Sequence, residues 1–280
     1  MITILVSVLF NVHATEKAPS NIAFQFREGL IWIKARLPQS AEPINLLVDT
    51  GAGVSVINLS TAERLGLKLG SAVTVRGVET TFTGHWLRRI SAEAGGVQLP
   101  CNYLIVDLNK LSSSCERTVD GLLGADFFHE RIVQIDFEAQ LIRLLPANQA
   151  PKCENALPLQ LRPCGIRVPI TVNDHKSQWM RLDTGCATAL QWVNSNVNIR
   201  DCKPQVAIGL AELSIPQIQT SVRLGDHKFS DVPTGLHAKS IFAGEAGLLG
   251  NGLLSRFSKV TIDAKSGRLF LEALPDAPTP

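Results

Sequence analysis

The sequence predicts an all-β protein built as two related lobes. Three observations carry that expectation: frequent Gly and Pro punctuation, many short branched apolar runs, and an internal duplication. Twenty-one Gly and 15 Pro divide the 280 residues into short Val/Ile/Leu-rich segments, the pattern of strands joined by turns. Apolar residues make up 45 % of the chain, enough for a substantial core, and the length fits one or two domains. A net charge of +2 gives no reason to expect a nucleic-acid or membrane-surface partner.

The duplication is visible on direct alignment. "LLVDTGAGVSVI" (46–57) lies over "MRLDTGCATALQ" (180–191), with the aspartates 183 − 49 = 134 residues apart. "DGLLGADFFHERIVQIDFEAQLIRL" (120–144) lies over "AGLLGNGLLSRFSKVTIDAKSGRLFL" (246–271). Gly121-Leu122-Leu123-Gly124 matches Gly247-Leu248-Leu249-Gly250, and Ile135-Asp136 matches Ile262-Asp263. A single DTG arises easily by chance. Two, each after an apolar strand and each followed by GLLG, form a repeat that sets the architecture.

Each copy reads in the same order. An apolar strand ends in Asp-Thr-Gly, and a second strand follows. Next comes a hairpin tipped by glycine, Gly77-Val78 in "TVRGVET" and Gly209-Leu210 in "VAIGLAE", since Gly between strand-like runs marks a turn. An apolar-apolar-Gly turn, a short helix and a closing strand complete the unit. In the first copy a helix is expected to start at Ser60, with Glu63 at capping-box spacing and Gly66 ending the turn. The Pro-rich "PANQAPKCENALP" (146–158) separates the copies. The expected divisions are a first lobe over 19–147, a linker over 148–157 and a second lobe over 158–275.

The N-terminus has the form of a signal peptide over 1–14. "ITILVSVLF" is nine residues long, too short to cross a bilayer. Val12 and Ala14 occupy the small-residue positions ahead of a cleavage site. An exported protein, periplasmic or secreted, is the expectation. Six Cys suit export as disulfides, although six allow fifteen pairings. Neighbours along the chain would pair Cys101 with Cys115, Cys153 with Cys164, and Cys186 with Cys202. No Cys/His spacing fits a metal site, and there is no HExxH, GxSxG, P-loop or GxGxxG.

A carboxylate at the end of an apolar strand is a costly place for a charge, and this chain places one there twice, at Asp49 and Asp183. Together the DTG and GLLG motifs resemble those of aspartic peptidases of the pepsin/retropepsin clan, over most of residues 22–272. The details are most similar to retropepsin-like bacterial aspartyl proteases with two fused lobes: Ala52 stands where pepsins carry Ser or Thr, and the hairpin Gly follows each Asp by a short interval.

The resemblance implies a bilobal acid-protease fold, in which two pseudo-twofold-related, retropepsin-like β-barrel lobes carry short helices. Asp49 and Asp183 would meet at the seam and share a proton, as two close carboxyls must. They would activate a water against a peptide bond. Thr50 and Thr184 would interlock across the seam. Gly51 and Gly185 would bring backbone N–H groups close to the carboxylates. Gly124 and Gly250 would shape the floor, and the hairpins carrying Gly77, Val78, Gly209 and Leu210 would act as flaps. The implied partner is an extended polypeptide substrate, with no cofactor or metal, no membrane span in the mature chain, and a monomer sufficient for catalysis. A non-catalytic peptide-binding protein on the same fold is the alternative. Three positions depart from the pattern: the single Tyr, Tyr103, lies beyond the hairpin; Cys186 follows the second DTG; and Ala125 and Asn251 differ after the GLLG turns.

Overall fold

The computed structural model describes residues 20–77, 81–152, 156–162, 165–194, 203–207 and 213–273. The expected signal segment, Val78, Gly209, Leu210, Cys153, Cys164 and Cys202 lie outside the described residues. Those described form a sheet of 13 strands, one of 8, and a small two-stranded ribbon. Their α-helices are short turns of 4 to 6 residues.

The two copies fold the same way. Strand Ile44–Val48 leads into Asp49, and Gly121–Leu123 lies parallel beside it. On its other edge Gly121–Leu123 runs antiparallel to Val56–Asn58, the strand after the Asp loop. In the second copy Gly247–Gly250 lies parallel to Gln178–Asp183 and antiparallel to Leu190–Val193. The apolar-apolar-Gly segments are therefore strands threaded between the two arms of each Asp loop, where a turn was expected. Their leading glycines are required by the close approach of the neighbouring backbone. A Cβ at Gly121 would fall 2.2 Å from the Val56 carbonyl oxygen, and one at Gly247 would fall 2.0 Å from that of Gln191.

Both hairpins are present. Ala72–Arg76 pairs with Thr81–Arg88, with Gly77 at the start of the tip. Lys203–Ala207 pairs with Leu213–Leu224.

The closing strands join the lobes. Ile132–Asp136 runs antiparallel to Phe257–Asp263, in a register that sets Gln134 opposite Thr261. With Ile135-Asp136 matched to Ile262-Asp263, Gln134 and Thr261 are equivalent positions of the repeat, so the local twofold passes between them. The Gln134 Nε2–H donates to Thr261 Oγ1 at 3.1 Å in a buried contact. Flanking strands extend this sheet symmetrically, with Leu141–Leu144 and Ser20–Arg27 on one side and Arg268–Ala273 and Leu157–Pro158 on the other. One apolar core runs through both lobes, from Ile22 and Ile33 to Leu182 and Leu269. A second, smaller cluster around Leu30, Trp32, Leu47 and Leu122 belongs to the first lobe.

Two local expectations change. The first helix is Leu59–Arg64, with Asn58 rather than Ser60 at its N-cap, and no side chain caps it. The Asn58 amide is instead committed to the core: it donates to the Val119 carbonyl at 3.0 Å and accepts from the Leu108 N–H at 3.0 Å. Gly66 does take the left-handed conformation expected at the end of that turn, with φ +62°. The cysteine pairing also fails where it can be followed. Cys101, Cys115 and Cys186 are free. Cys101 is exposed, whereas Cys115 is packed into the smaller apolar cluster, so the fold presents those two thiols to different surroundings.

Because backbone stands where a methyl would go, Gly121→Ala is expected to destabilise the protein by about 1–3 kcal/mol. Thermal melting should show this as a loss of roughly 3–10 °C in Tm.

Candidate active site

Each aspartate ends a buried strand, and the parallel GLL strand beside it fixes where the chain turns. The Asp49 N–H donates to the Leu123 carbonyl at 2.9 Å. The loops then close by matching backbone bonds. Ala52 N–H donates to the Asp49 carbonyl and Cys186 N–H to the Asp183 carbonyl, both at 3.2 Å. Ala125 N–H reaches the Ala52 carbonyl and Asn251 N–H the Cys186 carbonyl, both at 2.8 Å. Gly124 and Gly250 lie directly behind the loops: a Cβ would come within 2.5 Å of Val54 C at the first and 2.2 Å of the Thr188 carbonyl oxygen at the second.

The threonines cross the seam reciprocally. Thr50 N–H donates to Thr184 Oγ1, and Thr184 N–H donates to Thr50 Oγ1, each at 3.0 Å. The hydroxyls pass their own protons on, Thr50 to the Leu182 carbonyl at 2.7 Å and Thr184 to the Val48 carbonyl at 2.8 Å. Both threonines are buried, so four bonds tie the two strand ends together out of reach of water.

This lock sets the two carboxyls side by side, close enough for each to perturb the other. The glycines make that possible. A Cβ on Gly51 would lie 2.5 Å from Asp183 Cγ, and one on Gly185 would lie 2.5 Å from Asp49 Cγ. Each DTG glycine thus makes room for the carboxyl of the opposite lobe. This is a tighter demand than the approach of N–H groups expected from sequence, although those also form.

The pair is not symmetric. Asp49 Oδ1 accepts two backbone bonds, from Gly51 N–H at 2.9 Å and Ala52 N–H at 3.0 Å. Asp183 Oδ1 accepts one, from Gly185 N–H at 2.9 Å. Desolvation pushes the pKa of both carboxyls above the ordinary carboxylate range, although each residue keeps partial exposure. Asp183 is raised further, because the Asp49 charge adds to burial. The two titrate as one unit. Within it, the two backbone N–H bonds on Asp49 Oδ1, against one on Asp183 Oδ1, favour the charged form of Asp49.

Three residues around the pair gain roles that the motifs did not assign. Asn251 Nδ2 donates to the Thr184 carbonyl at 2.6 Å and across the seam to the Gly29 carbonyl at 2.8 Å. The divergence between Ala125 and Asn251 is therefore a strut present in one lobe only. Arg181 is buried two residues before Asp183, and its Nη1 donates to the Gly51 carbonyl at 2.7 Å. Glu245, also buried, holds it by two bonds of 2.7 and 2.9 Å. A charged residue inside the otherwise apolar "WMRLD", at the position of Leu47 in the first copy, was the available signal. Cys186 is a free buried thiol, within 3.1 Å of Thr188 Oγ1, and burial pushes its pKa up to about 12. It therefore stays neutral beside Asp183. Tyr103 is wholly buried in the first-lobe core, and of the residues expected in the flaps the described structure includes Gly77.

The aspartyl protease family model matches residues 33–127, a span that holds Asp49 and the first GLLG. No curated protein matches the chain. Among solved structures, the fold is similar to the crystal structure of aspartic proteinase from Irpex lacteus, with a TM-score of 0.58 and 13 % identity. The match covers 92 % of this chain and 98 % of that one. The motif resemblance to the pepsin/retropepsin clan therefore holds in the family model over part of the first lobe and in the bilobal all-β fold over both.

Two stability outcomes follow from this geometry. Thr184→Val leaves Thr50 N–H and the Val48 carbonyl buried without partners and should cost about 2–4 kcal/mol. The urea midpoint should fall at constant m-value. Asp183→Asn should act in the opposite direction. The folded pair retains a proton that the unfolded chain releases above about pH 3.8, so wild-type stability declines as pH rises through that range. The variant escapes this loss. Melting curves should show it more stable than wild type near neutrality, with the difference vanishing below about pH 3.8.

Proposed function

We propose that the protein is an aspartic endopeptidase in which Asp49 and Asp183 hydrolyse peptide bonds through a water held between them. The observation that carries this reading is the pair of carboxyls side by side at the seam, partly exposed and locked by the crossed threonines. Two mutually repelling acids are expensive to hold together. A protein that only bound peptides would have no use for them.

The chemistry uses one shared proton. Ionised Asp49 takes a proton from the water as its oxygen attacks the scissile carbonyl carbon. Protonated Asp183 gives its proton to the carbonyl oxygen, and a neutral gem-diol forms without a covalent enzyme intermediate. Collapse reverses the roles. Asp49 delivers its proton to the departing nitrogen, the C–N bond breaks, and a gem-diol hydroxyl returns a proton to Asp183. The two N–H groups on Asp49, against one on Asp183, support this assignment.

The substrate is an extended polypeptide, laid along strand edges with alternate side chains in pockets. The hairpins carrying Gly77-Val78 and Gly209-Leu210 would close over it, and one chain supplies both halves of the site. The apolar residues 2–10 support an exported location, periplasmic or secreted.

The test is cleavage of unfolded polypeptide at mildly acidic pH. Wild type should cleave, with a bell-shaped pH dependence of kcat/KM. Asp49→Asn and Asp183→Asn should each lose activity by about a thousandfold or more. Full activity in either variant would rule out the shared-proton mechanism. Retained peptide binding by a wild-type protein that never cleaves would favour the binding alternative.

A further inference from the structure

The two lobes treat one face of the Asp strand in opposite ways. In the first lobe Leu47 pairs with Trp32 and joins Leu30 in the smaller apolar cluster. In the second lobe Arg181 pairs with Arg167. Gly165 opens the space for the guanidinium, since a Cβ there would lie 3.1 Å from Arg181 Cζ. Glu245 accepts from Arg181 Nε and Nη2 and from Arg167 Nε at 2.8 Å, and the Arg181 guanidinium stacks 3.5 Å over the Phe242 ring. Replacing hydrocarbon with a buried ionic cluster gives weak or no stability in return, so stability alone does not account for it.

The Arg181 fork also reaches the opposite lobe. Arg181 Nη1–H donates across the seam to the Gly51 carbonyl. That carbonyl and the Ala52 N–H belong to the same peptide unit, and the Ala52 N–H donates to Asp49 Oδ1. The arginine thus orients and polarises the amide that gives Asp49 its second hydrogen bond. Leu47 carries no donor to do this for the loop of the other lobe, where Asp183 Oδ1 accepts from the Gly185 N–H.

We propose that Arg181 is a positioning residue for the aspartate pair: aimed by Glu245 and Phe242, it clamps the Gly51–Ala52 peptide and thereby selects Asp49 as the ionised member. The proposal rests on the peptidase reading above. Among the described residues, the charged and titratable groups around the pair are Arg181 itself, Glu245 and Arg167 behind it, and the neutral Cys186 thiol beside Asp183. The Arg181 charge also favours the ionised form of both aspartates directly, lowering their pKa.

The test compares Arg181→Leu, which installs the residue of the sister lobe, with Arg181→Lys. In the leucine variant, kcat on an unfolded polypeptide should fall at least about tenfold through misalignment of the loop, with KM nearly unchanged. Both limbs of its pH profile should move to higher pH, because removing a positive charge makes each carboxyl harder to ionise. The lysine variant should keep the pH limbs near their wild-type positions while recovering only part of kcat. A merely structural arginine would lower Tm and leave the limbs in place. If the leucine variant does not fold, Arg181→Leu with Glu245→Leu removes the stranded acid as well, with Arg167 keeping its bond to the Ala243 carbonyl; kcat should fall likewise, with smaller limb shifts because a negative charge leaves with the positive one. Folded variants with unchanged kcat and pH profile would overturn the proposal. Carbon-13 carboxyl titration of Asp49 and Asp183 by NMR needs no substrate. It decides the role of Arg181 even if wild type proves inactive, and an unmoved Asp49 titration in the leucine variant would equally overturn it.

Discussion

The structure depends on the reciprocal threonine lock at the seam. Two carboxyls do not stay in contact inside a protein unless something holds their backbones there. Thr50 and Thr184 supply that hold with four buried bonds. Each threonine satisfies a backbone group of its own lobe only through the other lobe, so neither strand end is complete alone. The energetic penalty of leaving buried N–H and C=O groups unpaired is what opposes the repulsion between Asp49 and Asp183.

Around that lock the duplication is nearly exact in backbone and inexact in side chains. The GLL strands, the loop bonds at 3.2 and 2.8 Å and the pairing of Gln134 with Thr261 repeat or sit on the local twofold. The departures gather behind the aspartates. Asn251 replaces Ala125, Arg181 replaces Leu47, and Cys186 replaces Ala52. Two of these reach across the seam, Asn251 to Gly29 and Arg181 to Gly51. A symmetric pair would leave the proton with no preferred side. An acid and a base need different surroundings, and a fused chain is free to make its two halves differ.

Legibility in the sequence followed the range of the interactions. Asp49, Thr50, Gly51 and their counterparts could be named because the motif is contiguous and occurs twice. The all-β class followed from strand-length apolar runs. The capping role given to Ser60 failed because the helix already starts at Leu59, and the Ser60 hydroxyl donates instead to Asn109 Oδ1, a partner far along the chain. The Cys101–Cys115 pairing failed for a related reason: closeness in sequence does not bring two thiols into one environment when one is exposed and the other packed in a core.

By itself the sequence determined a duplicated β-protein with one aspartate at the end of an apolar strand in each half, since strand periodicity, turn residues and repetition are local properties. The tertiary structure alone decided what the DTG glycines are for and which aspartate is better supplied with hydrogen bonds. Gly51 makes room for Asp183, and Gly185 for Asp49, across a seam whose crossed threonines are 134 residues apart. Arg181 reaches its carbonyl 130 residues away. Contacts of that range follow from how two lobes close on each other, and no local pattern of residues encodes them.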